Sequence, residues 1–146
     1  MNAAPTGSVR RVELSCAECL ELLAGVTVGR VVFSHHALPA IRPVNHLIDD
    51  GRVVIRTHQD ASLVGSTSVF GVVAYEADAL DPVTRTGWSV TVTGTASVVR
   101  APAELARYRV LLTHWADGGS SADQVVRINP DIVTGYQLVR TGPAPT

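Results

Sequence analysis

Lysine is absent from this 146-residue chain: all 12 of its basic residues are arginine. That removes the amine required for a Schiff base with pyridoxal phosphate, and it removes the phosphate-binding P-loop, which needs its lysine. Any phosphate bound here must be met by guanidinium, hydroxyl or backbone N–H groups. An excess of either charge is missing too. Twelve basic residues stand against 13 acidic ones, a formal net charge of −1, and no basic stripe is present. Nucleic acid is therefore not an expected partner. No apolar run approaches the roughly 18 residues that span a bilayer, so no membrane partner is expected either. The opening "MNAAPTGSVRR" lacks the apolar segment of a signal peptide, and the expected location is cytoplasmic. Cysteine is scarce: Cys16 and Cys19 form a single C-x-x-C. No second ligand pair lies at zinc spacing and no βαβ pattern surrounds it, so both read as small helix residues, with no metal site expected. His35 and His36 are adjacent, and neighbours on a strand point to opposite faces, which disfavours a shared ion.

What is present is a globular composition, 46% hydrophobic and 17% charged, at a length suited to one domain. Residues 1 to about 11 read as a flexible polar arm, 12–140 as the single domain, and 141–146 as a loose tail. Ser15 and Glu18 make an S-x-x-E capping box ahead of a helix whose apolar side carries Cys19, Leu20 and Leu23, with Gly25 at its stop. The period then changes to two. Strands are expected over Val28 to His35, over "LPAIRPVNHLI", over "RVVIRT" and over Val69 to Asp78. The clearest is "WSVTVTGTASVV", with Trp88, Val90, Val92, Gly94, Ala96 and Val98 on one face; its internal glycine predicts a bend or a close backbone approach. "APAELARYRVLLTHWA" returns to helical spacing, and "QVVRINPDIVTGYQLV" supplies one or two closing strands. These elements predict a mainly β fold, a six-stranded antiparallel barrel with an N-terminal helix and one later helix.

The stretch "IRPVNHLIDDGRVVIRT" is a hairpin that carries more polar side chains than a core requires. A two-residue Asp50-Gly51 turn sets Asn45 against Arg56 on one face and leaves Arg42, His46 and Thr57 on the other. A three-residue loop slides the register by one and gathers Arg42, His46 and Arg56 on one side, an anion pocket. The sequence does not choose between them. Arg42 and Arg56 can equally be solvated or paired with Asp49, Asp60 or Glu76. His46 suits a hydrogen-bonded core position, and Trp88 a core or interface one. Ser89 has no evident base, which excludes a hydrolase triad.

In order, the pieces "LSCAECLELLAGVTVGRVVF", "PAIRPVNHLIDDGRVVIRT", the acidic "YEAD" strand, "GWSVTVTGTASVV" and "VVRINPDIVTGY" resemble the pyridoxamine 5′-phosphate oxidase-like, FMN-binding split-barrel family in its small bacterial branch. The resemblance implies a homodimer with two flavin sites at the subunit interface, and an oxidoreductase acting on a small-molecule substrate. It places Arg42 at the flavin phosphate, Arg56 and Thr57 at the ribityl-phosphate end, and Pro43, Val44, Asn45 and His46 along the ring and ribityl chain. Trp88 and Ser89 fall at the cofactor edge, from a neighbouring strand or subunit. The family follows "RT" with a glycine, a small hydroxyl residue and a basic residue that grips phosphate. Here the segment is "HQDASL", so that Asp60 takes the glycine position and Ser62 the basic one. Two alternatives stand beside FMN: a deazaflavin coenzyme on the same fold, or a non-catalytic dimeric module without cofactor or storing one. No catalytic side chain is identified; His46 is the sole candidate acid or base.

Overall fold

The computed structural model describes residues 7–57, 69–113 and 123–141, and leaves out the side chains of His35, Val69 and Phe70. In chain order the elements are β1 (Ser8–Glu13), α1 (Cys16–Ala24), β2 (Val28–His35), β3 (Leu38–Asp49), β4 (Arg52–Thr57), β5 (Val69–Leu80), β6 (Gly87–Val98), α2 (Pro102–Leu111), β7 (Gln124–Ile128) and β8 (Ile132–Thr141). The strands follow one another in the order β1-β8-β6-β5-β2-β3-β4-β7, and β7 returns to pair with β6. Six strands thereby close into an antiparallel barrel, as expected, with β8 and β1 continuing outward from β6.

Strand β6 is where the barrel splits. Its first part, Gly87 to Thr93, pairs with β8, whereas Ala96 to Val98 pair with β7. The turn joining β7 to β8 presses on β6 between the two. Asn129 N–H donates to Thr95 O at 3.0 Å, and Thr95 N–H donates to the Asp131 carboxylate at 3.1 Å. A Cβ at Gly94 would lie 1.6 Å from Asn129 O, so the glycine inside this strand marks a close backbone approach. The closing segment is therefore two strands.

Alternation fills the barrel. Val31, Phe33, Val44, Val53, Ile55, Val73, Tyr75, Val90, Val92, Val126 and Ile128 form one buried cluster with Cys19 and Leu23 of α1. The capping box forms at the start of α1: Ser15 Oγ accepts from Glu18 N–H at 3.1 Å, and the Glu18 carboxylate accepts from Ser15 N–H at 2.9 Å. Cys19 is fully buried and Cys16 exposed, as small helix residues would be. Helix α2 begins with Pro102 in its first turn and buries Tyr108 and, just beyond its end, Leu112 against Val54 and Val125 on the outer face of β4 and β7 and against Val99 just past β6.

One boundary differs from the sequence reading. Residues 8–11 of the expected flexible arm belong to β1, paired from Ser8↔Thr141 to Glu13↔Tyr136. The strand is mostly exposed, and its polar side chains find partners on it and on β8: Arg11 Nε bonds Glu13 at 2.7 Å and its guanidinium lies 4.1 Å from the Tyr136 ring centroid.

Candidate functional site

The register of the β3–β4 hairpin decides which polar side chains can act together. Asp49 pairs with Arg52 and His46 with Ile55, and both turn residues, Asp50 (φ 52°) and Gly51 (φ 72°), are left-handed. This is the two-residue turn. The ladder ends at His46 and Ile55, beyond which β3 continues against β2 and β4 against β7. Arg42, Val44, His46 and Thr57 share the face toward the barrel; Pro43, Asn45 and Arg56 face outward. The single pocket of Arg42, His46 and Arg56 does not form.

The outward pair is engaged with α2. Asn45 Nδ2 donates to Thr113 O at 2.8 Å. Arg56 Nη1 donates to Arg109 O at 3.1 Å and Leu112 O at 2.8 Å, and its Nε stands 3.6 Å from the Asp123 carboxylate. Those carbonyls are among the unpaired ones that a helix leaves at its C-terminus, and a buried guanidinium meets two of them at once. Asp49 serves the same helix, accepting from the Tyr108 hydroxyl and from Arg107 at 2.6 Å.

The inward group divides by depth. His46 is buried, its Nε2 lying 2.8 Å from Leu23 O and its Nδ1 against the Tyr75 hydroxyl. A carbonyl only accepts, so Nε2 carries the proton and the Tyr75 hydroxyl donates to Nδ1. Burial holds the imidazole below its ordinary pKa and pushes the Tyr75 phenol up. His46 thus ties β3 to β5 and to the end of α1 as a neutral, doubly bonded core residue, and offers no nitrogen to a substrate. Arg42 lies at the open end of the same face, exposed, donating to its neighbour Ile41 O at 3.1 Å, with its guanidinium 5.9 Å from the Phe33 ring centroid.

Thr57 is 3% exposed, and its Oγ1 has no hydrogen-bond partner among the described residues. Its direct partner on β7 is Gln124, whose buried Oε1 is likewise unmatched. A buried polar atom left in this state costs about 1–3 kcal/mol, a debt that a bound ligand can cancel. Beside Gln124 opens a cavity of about 250 Å³, lined by Val98, Val99, Leu105 and Val125 with Arg100, Arg109 and Asp123. Sequence reasoning did not find Gln124, because only the β4–β7 register brings it beside Thr57.

Trp88 and Ser89 open β6. Trp88 is half-buried against the core, and Ser89 sits between Asp78 of β5 and Tyr136 of β8. Thr57 and Gln124 lie near the other end of that strand, roughly 30 Å away along it at about 3.3 Å per residue. Ser62 and Asp60 lie outside the described residues. No cluster of three or more His, Cys, Asp or Glu able to hold a metal occurs among the described residues.

The pyridoxamine 5′-phosphate oxidase family model matches residues 15–137. The chain belongs to that family. It is 51% identical, over 98% of its length and 95% of the relative's, to the uncharacterized Mycobacterium tuberculosis protein Rv0080. Among solved structures, a Corynebacterium glutamicum protein assigned to the pyridoxamine 5′-phosphate oxidases is 32% identical with a TM-score of 0.74, covering 91% of this chain and 96% of that one. An FAD-binding protein of Mycobacterium smegmatis is 30% identical with a TM-score of 0.65, covering 88% and 98%. In family terms, the split barrel and the motif order of the sequence agree; no helix among the described residues is long and apolar enough to cross a membrane.

Proposed function

We propose that this protein is a homodimeric flavoprotein, a small oxidoreductase that binds FMN non-covalently along the β3–β4 hairpin and acts on a small-molecule substrate. The observation that carries this reading is the unmatched, buried Thr57 hydroxyl on the same hairpin face as the exposed Arg42. A hydroxyl lacking a partner, and an arginine with no acidic partner among the described residues on the same face of the hairpin, suit a phosphorylated ligand. Arg42 would meet the phosphate and Thr57 the adjoining chain, with Pro43, Val44, Asn45 and His46 forming the wall through their backbone. Ser62 would close the phosphate end. Arg56 would act through position, holding α2 and Asp123 beside the site. The bound flavin would supply hydride or electron transfer, and the chain its placement and access.

The homodimer is supported by two features. Trp88 and Ser89 stand at the far end of β6 from Thr57, so a second copy is the natural source of the cofactor-edge residues. The outer sheet face carries a cross-strand row of Ile41, Val32, Ala74, Thr93 and Ile132, with Ile41 and Ile132 exposed at 56% and 60%. Apolar exposure on that scale suits an interface between copies.

FAD is the second reading, favoured by the 30%-identical relative that binds FAD. It also suits the absence of a basic residue at Ser62. The FMN phosphomonoester approaches two negative charges at neutral pH, whereas each FAD phosphate carries one, a better match to Arg42 alone. Titration with FMN and FAD separates the two. Arg42→Ala is expected to weaken the preferred flavin about tenfold to a hundredfold, with the dimer intact by ultracentrifugation; unchanged affinity would reject the phosphate role.

A further inference from the structure

Cys16 and Cys19 stand three residues apart in the first turn of α1, both as thiols, and packing explains only one of them. Cys19 is fully buried. Its Sγ occupies the space over Gly135 of β8, where an added Cβ would lie 2.7 Å from the sulfur, beside Val90 and the Ser89 carbonyl. Cys16 is exposed and belongs to neither buried cluster. Helix formation does not call for it either, since cysteine is a poorer helix former than alanine. What distinguishes the exposed position is its distance from the buried one.

Residues three apart on a helix are neighbours, and each Cα–Cβ bond tilts toward the helix N-terminus, so the Cys19 side chain leans toward the turn that carries Cys16. In a regular helix their Cβ atoms stand roughly 5–6 Å apart, against the roughly 3.5–4.5 Å of a disulfide. The turn must tighten for the sulfurs to join, and a first turn is the one able to do so. Cys16 is the first helical residue, and its N–H is one of the donors that a helix leaves without an acceptor. The backbone ladder begins only with Cys19 N–H, which donates to Ser15 O at 2.9 Å. A disulfide closed under such strain is readily reduced again. The two thiols also differ in access. Burial pushes the Cys19 thiol up, and Cys16, Glu18 and Glu13 add to the effect, so Cys19 stays protonated and away from solvent. Of the two, only Cys16 meets a dissolved oxidant.

We propose that Cys16 and Cys19 form a reversible dithiol site for hydroperoxides, in which Cys16 is oxidised first and Cys19 closes the disulfide. With hydrogen peroxide, the Cys16 sulfur breaks the O–O bond and becomes a sulfenic acid, and one water leaves. The Cys19 sulfur then displaces the hydroxyl from Cys16; the S–S bond forms and the hydroxyl departs with the Cys19 proton as a second water. Two thiols lose two electrons, and one peroxide is reduced to two waters. Closure draws the Cys19 sulfur from its seat over Gly135 and loosens α1 on β8. A disulfide loop this short constrains the unfolded chain little. The oxidised form is therefore the less stable one. None of this depends on the flavin reading.

The test treats the reduced full-length chain with hydrogen peroxide, alkylates it with iodoacetamide under denaturing conditions and weighs it by mass spectrometry. The parent protein is expected to lose about 2 Da, with both thiols closed to alkylation, and dithiothreitol should restore both. In Cys19→Ala the reaction should stop at a sulfenic acid on Cys16, about 16 Da heavier and trapped by dimedone. Cys16→Ser alters an exposed position and should fold as the parent does; after the same treatment its Cys19 should still be alkylated. The oxidised parent should melt about 5 °C below the reduced one and recover on reduction, whereas Cys16→Ser should show no such shift. Oxidation of Cys16 beyond the sulfenic acid with Cys19 still open to alkylation would overturn the pair. So would linkage of two chains through Cys16, or a parent protein that peroxide leaves unchanged.

Discussion

Glu76 should make this fold less stable as the pH rises from about 4.5 to about 7. It stands on the outer face of β5, opposite Arg30 of β2 and Thr91 of β6, and one Oε1 is buried without a hydrogen-bond partner among the described residues. Burial first, then the neighbouring Asp78, raise its pKa from 4.5 to about 7, although Arg30, 3.6 Å away, pulls it down. An unfolded chain loses this proton near 4.5 and the folded chain keeps it to about 7. The contribution is therefore complete below the lower value and is lost as pH rises through the upper one. Taken whole, that displacement would be worth about 3 kcal/mol. Because 28% of the side chain meets solvent and Asp78 shares the proton's influence, about 1–2 kcal/mol is the expected loss. His46 acts in the opposite sense. Its pKa is depressed by burial, so stability falls as pH drops below about 6.5 and the unfolded imidazole alone takes up a proton. Urea unfolding from about pH 4.5 to pH 7.5 reads the sum of these two opposed slopes. In Glu76→Gln the loss of stability with rising pH should vanish, leaving the gain that His46 supplies. A stability profile over that range unchanged in the variant would refute the reasoning.

Other consequences concern the joints of the fold. Tyr75→Phe leaves the buried His46 Nδ1 without its donor and should cost about 1–3 kcal/mol in urea unfolding, with the barrel's circular dichroism retained. Gly94→Ala should abolish folding, read as loss of soluble expression, because the added methyl meets the Asn129 carbonyl at 1.6 Å and backbone has no room to yield. Arg56→Ala removes two bonds to the end of α2 and the cation beside a buried Asp123; a loss of about 3 kcal/mol and faster proteolysis near α2 are expected, which Arg56→Lys should only partly restore.

The fold was largely legible because its strongest signals are local. The capping box at Ser15 and Glu18, the alternation along β6 and the helical spacing before Leu112 each act within a dozen residues. Strand β1 escaped notice because its only apolar side chains are Val9 and Val12; its strand character comes from β8, more than a hundred residues away. The hairpin register stayed open because aspartate and glycine both tolerate left-handed backbone, so "DDG" fits a two- or a three-residue loop. The resemblance set Arg56 at the ribityl-phosphate end, and nothing near it in the sequence announces the helix carbonyls that it also meets. Gln124 carried no signal at all until β4 and β7 were set side by side.

Flavin binding is the central claim, and it is tested by the visible spectrum of gently purified protein followed by identification of whatever denaturation releases. Absorbance near 450 nm with released FMN or FAD is the predicted result. A colourless protein that takes up neither flavin when it is added would contradict the account, and a released deazaflavin would replace the cofactor while keeping the site.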